Sequence, residues 1–355
     1  MRIERKRNPL GKEIYTLAVH RTPLYVKPSR NPVIIVKGKG KDIADNTGLQ
    51  KLAKRRMISN ALVLKLIDVA KEYRDYDFIK QCWNAYHCLG KIYTTGGKLH
   101  GKYCKLRFCP LCCGNRKADL LNRYYPYFQN EWGNAYFVTL TVKAQKVKNL
   151  KKYIDGMCRA IAVIIDKYDR GYKKGKCKKL IGIRTLECGF NPEKHTYNPH
   201  FHIIVKNKEI GDTLKKEWCK LWTLKYANPG AQKVKPVWNM QGALIELIKY
   251  CGKIFTEPDN DKKLQGMAAP TIYAHALYNI LKALDKKHVF EGFGFTLPEQ
   301  PKKVTFTPVG DYKIWHLDPK TGDYINDDLD FPLIGFSKPP ELESLLENCI
   351  DTVLN

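Results

Sequence analysis

The sequence has no long apolar run, and its acidic residues are few. The longest apolar stretches, such as residues 160–165, are far too short to cross a bilayer, and no secretory signal opens the chain. These absences exclude a helical membrane protein and favour a soluble, intracellular one. The 355 residues are 44% apolar, which is enough to form the core of one large or two ordinary domains.

The shortage of acidic residues leaves a large positive charge. Lys and Arg number 62 against 35 Asp and Glu, so the net charge is +27. Residues 301–355 hold 5 Lys and 10 acidic residues, which leaves an excess of 32 positive charges on residues 1–300. Together with 21 Tyr, 13 Phe and 6 Trp, this excess predicts nucleic acid as the partner rather than a membrane surface. The alternative is a solvated basic surface.

Composition divides the chain into four parts. Residues 1–80 open with a basic stretch through residue 41, which is either an arm for phosphates or a poorly ordered tail, and continue with helical apolar spacing over 48–80. Residues 82–117 are rich in cysteine, and residues 118–297 form the third and longest part. Residues 298–355 form an acidic extension that packs on the core, recruits a host factor or restrains the basic surface; the sequence does not choose among these.

The bunched cysteines predict a structural zinc module rather than disulfides. Cys109-Pro-Leu-Cys112 places two thiolates in one tight turn, and Cys104 is a natural third ligand. The alternative is a set of isolated reduced thiols in a core. The candidates for the fourth ligand are Cys88, which leads, followed by His100, His87, Cys82 and Cys113.

Basic residues surround this cysteine knuckle. Arg107, Arg116 and Lys117 lie within it or directly after it, which suits a structural module that also contacts phosphate. Lys143, at the end of the first strongly β-branched strand, is a fourth candidate for DNA contact.

Apolar periodicity in residues 118–254 predicts an α+β fold. The elements are a helix at 118–129, a strand at 134–143, a helix at 149–169, strands at 180–187 and 198–205, a helix at 213–226, a strand at 231–238 and a helix at 241–254. This order predicts an antiparallel sheet with helices on one side, of the ferredoxin-like kind.

Two histidines on one strand point to a metal site. Side chains alternate along a strand, so His200 and His202 share a face and both can reach one ion. Glu187, at the end of the preceding strand, is a candidate third ligand. Alternation along that strand places Glu187 on the same side as Ile181 and Ile183, so a bulge or twist is expected to turn its carboxylate toward the metal. The alternative is that all three are ordinary polar residues in solvent.

The helix at 241–254 carries a second group of polar residues. Glu246, Tyr250 and Lys253 follow offsets of zero, four and seven, which places them on one helical face. A phenol beside a cation and a carboxylate is a nucleophile with helpers. The alternative is an amphipathic helix in which Tyr250 is a core aromatic.

These motifs together resemble those of the HUH endonucleases. Residues 137–141 match the first strand motif, His200-Phe-His202 the histidine motif and Tyr250-Cys-Gly-Lys253 the tyrosine motif, downstream of a Cys-x₄-Cys-Pro-x-Cys knuckle. Their order is similar to that of the single-tyrosine rolling-circle replication initiators of small bacterial plasmids. The resemblance covers roughly residues 82–297, and the two-tyrosine pattern is not met because position 254 is Ile254.

The resemblance implies the HUH fold, a catalytic domain for nicking and joining DNA over residues 118–297, and a mechanism. His200 and His202, with Glu187, would hold Mg²⁺ or Mn²⁺, and Tyr250 would attack the scissile phosphate to leave a 5′-phosphotyrosine link. Lys253 would offset charge, and Glu246 would activate water at termination.

The resemblance also implies partners and a location. The partners would be an origin hairpin, single-stranded at the nick, and the host helicase and polymerase in the bacterial cytoplasm. Two rival functions stay open. One is an HUH transposase or mobilisation relaxase, and the other is a non-catalytic zinc-finger protein that binds nucleic acid.

Overall fold

The structure is a computed structural model that describes residues 2–7, 13–18, 33–37, 40–249, 273–297, 306–329, 331–340 and 342. Within them the helices are α1 (Asn46–Glu72), α2 (Tyr76–Tyr86), α3 (Pro110–Glu131), α4 (Val147–Lys173), α5 (Lys208–Tyr226), α6 (Met240–Lys249) and α7 (Ala274–Ala283). None of these is long and apolar enough to span a bilayer.

The described residues also contain fourteen strands. They are β1 (Arg2–Arg7), β2 (Glu13–Ala18), β3 (Ile34–Lys37), β4 (Lys41–Asp42), β5 (Lys91–Thr95), β6 (Lys98–Gly101), β7 (Tyr136–Thr141), β8 (Gly182–Asn191), β9 (Thr196–Val205), β10 (Lys233–Pro236), β11 (Phe290–Phe293), β12 (Phe306–Val309), β13 (Lys313–Leu317) and β14 (Tyr324–Ile325).

Helix boundaries follow local capping residues. The helical spacing over 48–80 resolves into two helices, because Asp75 accepts a hydrogen bond from the Phe78 amide and starts α2. Arg74, just before it, has a positive φ of 52°. Helix α3 begins at Pro110, eight residues before the predicted start, because a proline suits the first helical position.

The central sheet is antiparallel, with the strand order β10-β7-β9-β8-β11. One face is covered by α4, α5 and α7 around Phe201, Ile203 and Trp218. On the other face, the face of the histidines, Ile183 and Ile204 pack against α3 and α6. The α+β class is confirmed. The expectation that helices lie on only one side of the sheet is wrong, because the histidine face is apolar at one end and α3 and α6 cover that end.

A second sheet, with the order β14-β13-β5-β6-β4, combines β5 and β6 of the cysteine-rich part with β4 from the first 80 residues and with β13 and β14. β13 belongs to the acidic extension and pairs with β5, so these two segments share one sheet. Trp315 and Tyr324 are buried in the same core as α1 and α2. Of the three roles considered for the extension, packing on the core is therefore the one observed.

The ends of the chain add two small sheets. β1 pairs with β2, so part of the basic stretch at the start forms an antiparallel hairpin. β12 pairs with β3. Helix α3 runs from the cysteine knuckle to the central sheet and crosses the predicted boundary at residue 118. The division into four domains stays a prediction.

Candidate active site and metal centres

The β8–β9 hairpin places Glu187 directly opposite His200. The pairing is continuous from Gly182 with Val205 to Asn191 with Thr196, and residues directly opposite each other share a face. The expected bulge is therefore wrong. Glu187 and Ile183 do point to the same side of β8, as expected. That side is the face of the histidines, because Ile183 pairs with Ile204 and Glu187 pairs with His200.

One carboxylate oxygen lies between the two imidazoles. Oε2 of Glu187 is 3.2 Å from Nε2 of His200 and 3.3 Å from Nε2 of His202. Glu187 is 6% exposed, and both histidine side chains are largely buried. The three ligand-type atoms lie within 4.8 Å of one another, which makes the group compatible with a metal ion.

The hydrogen bonds of the rings test whether these residues suit a metal. Nδ1 of His200 is 2.9 Å from the carbonyl oxygen of Asn198, which only accepts, so Nδ1 donates. When Nδ1 carries the proton of a neutral ring, Nε2 of His200 has a lone pair, and this lone pair faces the Glu187 carboxylate. Nε2 and the carboxylate oxygen are then both acceptors, so a proton or a cation is needed between them. A ligand histidine held by a carbonyl is also the usual arrangement at metal sites.

His202 is held in a comparable way. Its Nδ1 lies 3.3 Å from Oγ1 of Thr139, on the neighbouring strand β7. A hydroxyl either donates or accepts, so this contact fits the same ring orientation. Two imidazole nitrogens and a carboxylate oxygen form a ligand set that suits Mn²⁺ and similar divalent ions.

Replacing Glu187 with Gln tests this metal site. The change keeps the size of the side chain but removes the charge, so we expect the affinity for Mn²⁺ to fall at least about 10- to 100-fold. The measurement is Mn²⁺ titration followed by electron paramagnetic resonance. Glu193→Gln, in the exposed turn of the same hairpin, is the matched control. Equal affinities in the two variants would remove Glu187 from the ligand set.

Helix α6 packs across the histidine face of the sheet. Its buried residues Leu244, Leu247 and Ile248 share one apolar cluster with Ile183 and Ile204. Because these two isoleucines stand two positions from Thr185 and His202 along their strands, α6 lies directly beside the metal group. The helix that precedes the predicted tyrosine motif is thus anchored on the sheet face that carries the histidines.

The residues of the tyrosine motif divide at the end of α6. Glu246 is half-buried within α6. Tyr250 and Lys253, the predicted nucleophile and its helper, lie outside the described residues.

Two other groups on the hairpin are poor nucleophiles. Burial raises the pKa of the Cys188 thiol, and it raises the pKa of Tyr197 to about 12. Tyr197 is fully buried and accepts a hydrogen bond from Asn279. Both groups therefore stay protonated near neutral pH.

A second group of ligand-type atoms consists of four cysteine sulfurs. Cys88 follows α2, Cys104 follows β6, and Cys109 and Cys112 flank the first turn of α3. All four Sγ atoms lie within 4.8 Å of one another. Cys88 is the residue that the sequence favoured as the fourth member.

The distances between these sulfurs fit tetrahedral coordination of one ion. They also exclude a disulfide from Cys112 to Cys88 or to Cys104. Sγ of Cys112 is 3.7 Å from that of Cys88 and 3.6 Å from that of Cys104, far above the ~2.05 Å of a disulfide. Zinc with bonds of about 2.3 Å to sulfur places its ligands roughly 3.8 Å apart. The residues present therefore fit zinc.

Backbone amides donate hydrogen bonds to two sulfurs of this group. The amide of Cys104 donates to Sγ of Cys88 at 3.3 Å, and the amide of Lys105 donates to Sγ of Cys112 at 3.1 Å. Hydrogen bonds among the four side chains lower the pKa of Cys109 and raise the pKa of Cys88 and of Cys104. The buried guanidinium of Arg56 donates to the carbonyl oxygen of Cys88. Nothing in the sequence indicates that Arg56 is buried, since an arginine within a helix carries no local signal of burial.

The other candidates for a fourth ligand lie elsewhere. Cys113 donates to the carbonyl oxygen of Arg107 at 2.8 Å. His100 is buried beside Gly40, and Cys82 lies in the apolar core around α1. His87 is exposed and stacks on Trp83.

The structure gives the candidate DNA-contacting residues different surroundings. Arg107 donates to the carbonyl oxygens of Leu284 and Lys287, which follow α7, at 3.1 and 2.8 Å. Arg116 donates to the carbonyl oxygen of Lys105 at 2.9 Å. The remaining two candidates are the half-buried Lys117 and the exposed Lys143, just past the end of β7.

Arg107 thus connects the cysteine knuckle to the end of α7. Arg107→Ala removes two charge-assisted hydrogen bonds, so we expect the free energy of unfolding to fall by about 2–3 kcal/mol. Chemical denaturation measures the loss. Lys143→Ala, at an exposed position, is the control and should leave stability unchanged. An Arg107→Ala protein of normal stability but weakened DNA affinity would instead support the contact that the sequence suggested.

Comparison with known proteins agrees with this picture. A family model described as "Replication protein" matches residues 97–293, more than half of the chain. That range includes both histidines, Glu187 and three of the four clustered cysteines. The chain belongs to this family of replication proteins, which confirms the resemblance to rolling-circle plasmid initiators that the motif order suggested.

Several curated relatives are bacterial proteins named "Protein rep". One from Bacillus amyloliquefaciens is 34% identical over 128 residues, which is 34% of this chain and 36% of that protein. One from Streptococcus pneumoniae is 27% identical over 218 residues, 53% of this chain and 64% of that protein. One from Lentilactobacillus hilgardii is 27% identical over 202 residues, which is 51% of this chain and 59% of that protein.

The chain spans between about a third and two thirds of the length of these relatives. No solved structure matches the chain significantly.

Proposed function

We propose that this protein initiates rolling-circle replication of a plasmid by nicking and rejoining DNA at the origin. The observation that carries the proposal is the Glu187–His200–His202 group, held on the sheet face across which α6 packs. A metal-ligand triad beside the helix that leads into a tyrosine motif suits phosphoryl transfer to tyrosine. In this proposal the domain is of the HUH endonuclease kind.

The protein's own residues would divide the chemistry. Glu187, His200 and His202 would hold Mg²⁺ or Mn²⁺, which when bound polarises the scissile phosphate. Tyr250 would attack phosphorus, form a 5′-phosphotyrosine bond and break the bond to the 3′ oxygen, which leaves as a free 3′-OH. Lys253 would offset the charge that develops in this step.

Termination needs a second nucleophile, because Tyr250 stays linked to the DNA. Glu246, one helical turn before Tyr250, would take a proton from water so that the phosphotyrosine bond is cleaved. The tyrosyl phosphodiester conserves bond energy, so the same bond also serves for rejoining. This property suits replication better than degradation.

The proposal extends to partners and to the second metal group. The cysteine group would hold a structural zinc ion. The DNA would be an origin hairpin, single-stranded at the nick, and the host helicase and polymerase would act on the exposed 3′-OH in the cytoplasm.

The test is a covalent adduct on a denaturing gel. The purified protein is incubated with Mn²⁺ and a 3′-labelled single strand that carries the plasmid origin, so that the label stays with the DNA joined to protein. A labelled band at the mass of protein plus DNA is the expected result. Metal-dependent cleavage without any adduct would point to an ordinary nuclease and overturn the proposal.

A further inference from the structure

The segment between β10 and α6 presents an exposed indole on a rigid support. Trp238 is 92% exposed. The residue before it, Val237, donates its amide to the carbonyl oxygen of Ala135 at 2.9 Å. The residue after it, Asn239, accepts a hydrogen bond from the Gly242 amide and caps α6. The backbone on both sides of the ring is therefore fixed, although the ring itself lies in solvent.

Two lysines of β10 share the sheet face of the histidines. Lys233 pairs with Thr139, which in turn pairs with His202, and Lys235 pairs with Phe137. Directly opposed residues of an antiparallel sheet point the same way, so both lysines lie on the face of the metal group. The backbone of Lys233 is two strand spacings, roughly 10 Å, from that of His202.

The charge of this edge is uniformly positive. The sequence from residue 228 to residue 240 contains two lysines and no acidic residue. Both lysines are exposed. The ammonium of Lys233 donates to the carbonyl oxygen of Gly230 at 2.7 Å, which leaves it two further donors. β10 is the edge strand of the sheet, so this side carries no further strand within the described residues.

We infer that Trp238, Lys233 and Lys235 form a binding site for single-stranded DNA, in which a base stacks on the indole and the lysines contact phosphates. A lone exposed aromatic needs no explanation. An exposed aromatic on a fixed backbone, five and three residues after two exposed lysines, offers the combination that single strands recognise, because every base has a stacking face. This inference rests on the proposed function, since the two lysines share the sheet face of the histidines, where the DNA would be nicked.

The binding site is tested with a labelled single-stranded oligonucleotide and the duplex of the same sequence. All proteins carry Tyr250→Phe, so that no cleavage disturbs the equilibrium. Trp238→Ala should weaken binding of the single strand about 5- to 100-fold and leave binding of the duplex unchanged. Trp238→Phe should retain most of the affinity. Tyr76→Ala, which removes an aromatic that is 75% exposed on α2, is the matched control.

Two further readouts separate stacking from a structural effect. Single-stranded DNA should quench a part of the tryptophan fluorescence that is missing in Trp238→Phe. The double variant Lys233→Gln, Lys235→Gln should reduce the dependence of log affinity on log salt by about 0.7 for each phosphate that these lysines neutralise, whereas Trp238→Ala should not change that slope.

Three results would overturn the inference: undiminished affinity of Trp238→Ala, an equal loss on duplex DNA, or a change confined to self-association. The adduct gel decides the proposed function separately. If single-stranded DNA stacks on Trp238 but no adduct forms, only the proposed nicking reaction is contradicted. If the adduct forms and Trp238→Ala binds with unchanged affinity, only the stacking site is contradicted.

Discussion

Tyr250→Phe is expected to abolish the protein–DNA adduct and to lower the nicking rate by roughly 10⁴-fold or more. The substitution removes only the hydroxyl oxygen that would attack phosphorus, and loss of the nucleophile in covalent catalysis has effects of this order. DNA affinity should persist, because phosphate contacts and base stacking do not use that oxygen. The measurement pairs the denaturing gel with a binding titration on the same oligonucleotide.

The control for this experiment is Tyr172→Phe. Tyr172 is exposed near the end of α4, on the other side of the sheet from the histidines. The Tyr172→Phe variant should nick DNA at the rate of the unmodified protein. Cleavage retained in Tyr250→Phe would show that another group is the nucleophile, and the described groups Cys188 and Tyr197 would not replace it because burial raises the pKa of each.

Cys112→Ser is expected to lower the bound zinc from one ion per chain to none and to lower the melting temperature by roughly 10 °C. Structural zinc contributes directly to folding free energy, and this site joins α2, the loop after β6 and the start of α3. A loss of several kcal/mol shifts the melting temperature of a domain of 150–250 residues by about 2–4 °C for each kcal/mol. Metal analysis and thermal unfolding are the two measurements.

The neighbouring cysteine provides the matched control. Cys113 is adjacent to Cys112 and buried, yet its sulfur donates to the carbonyl oxygen of Arg107 instead of joining the group of four. Serine also donates, so Cys113→Ser should retain both zinc and stability. Loss of zinc in both variants, or in neither, would contradict the assignment of the ligands.

Local signals in the sequence determined much of this protein. Alternation along residues 200–205 separates the histidines from Phe201 and Ile203, and the structure keeps that separation. The Cys109-Pro-Leu-Cys112 turn predicts a pair of clustered sulfurs, and the structure contains it. These features depend only on residues within a few positions of each other, so local periodicity and spacing are sufficient to predict them.

The long-range partners were decided by the tertiary structure. The pairing of Glu187 with His200 depends on the register of a hairpin, and a register is set by packing on both faces rather than by either strand alone. Arg107 donates to carbonyl oxygens about 180 residues later in the chain, beyond α7, and no local pattern around Arg107 predicts these partners. The sequence by itself determined which residue types carry the chemistry; the packing of distant segments decided which of them meet, because contacts between distant residues leave no local pattern.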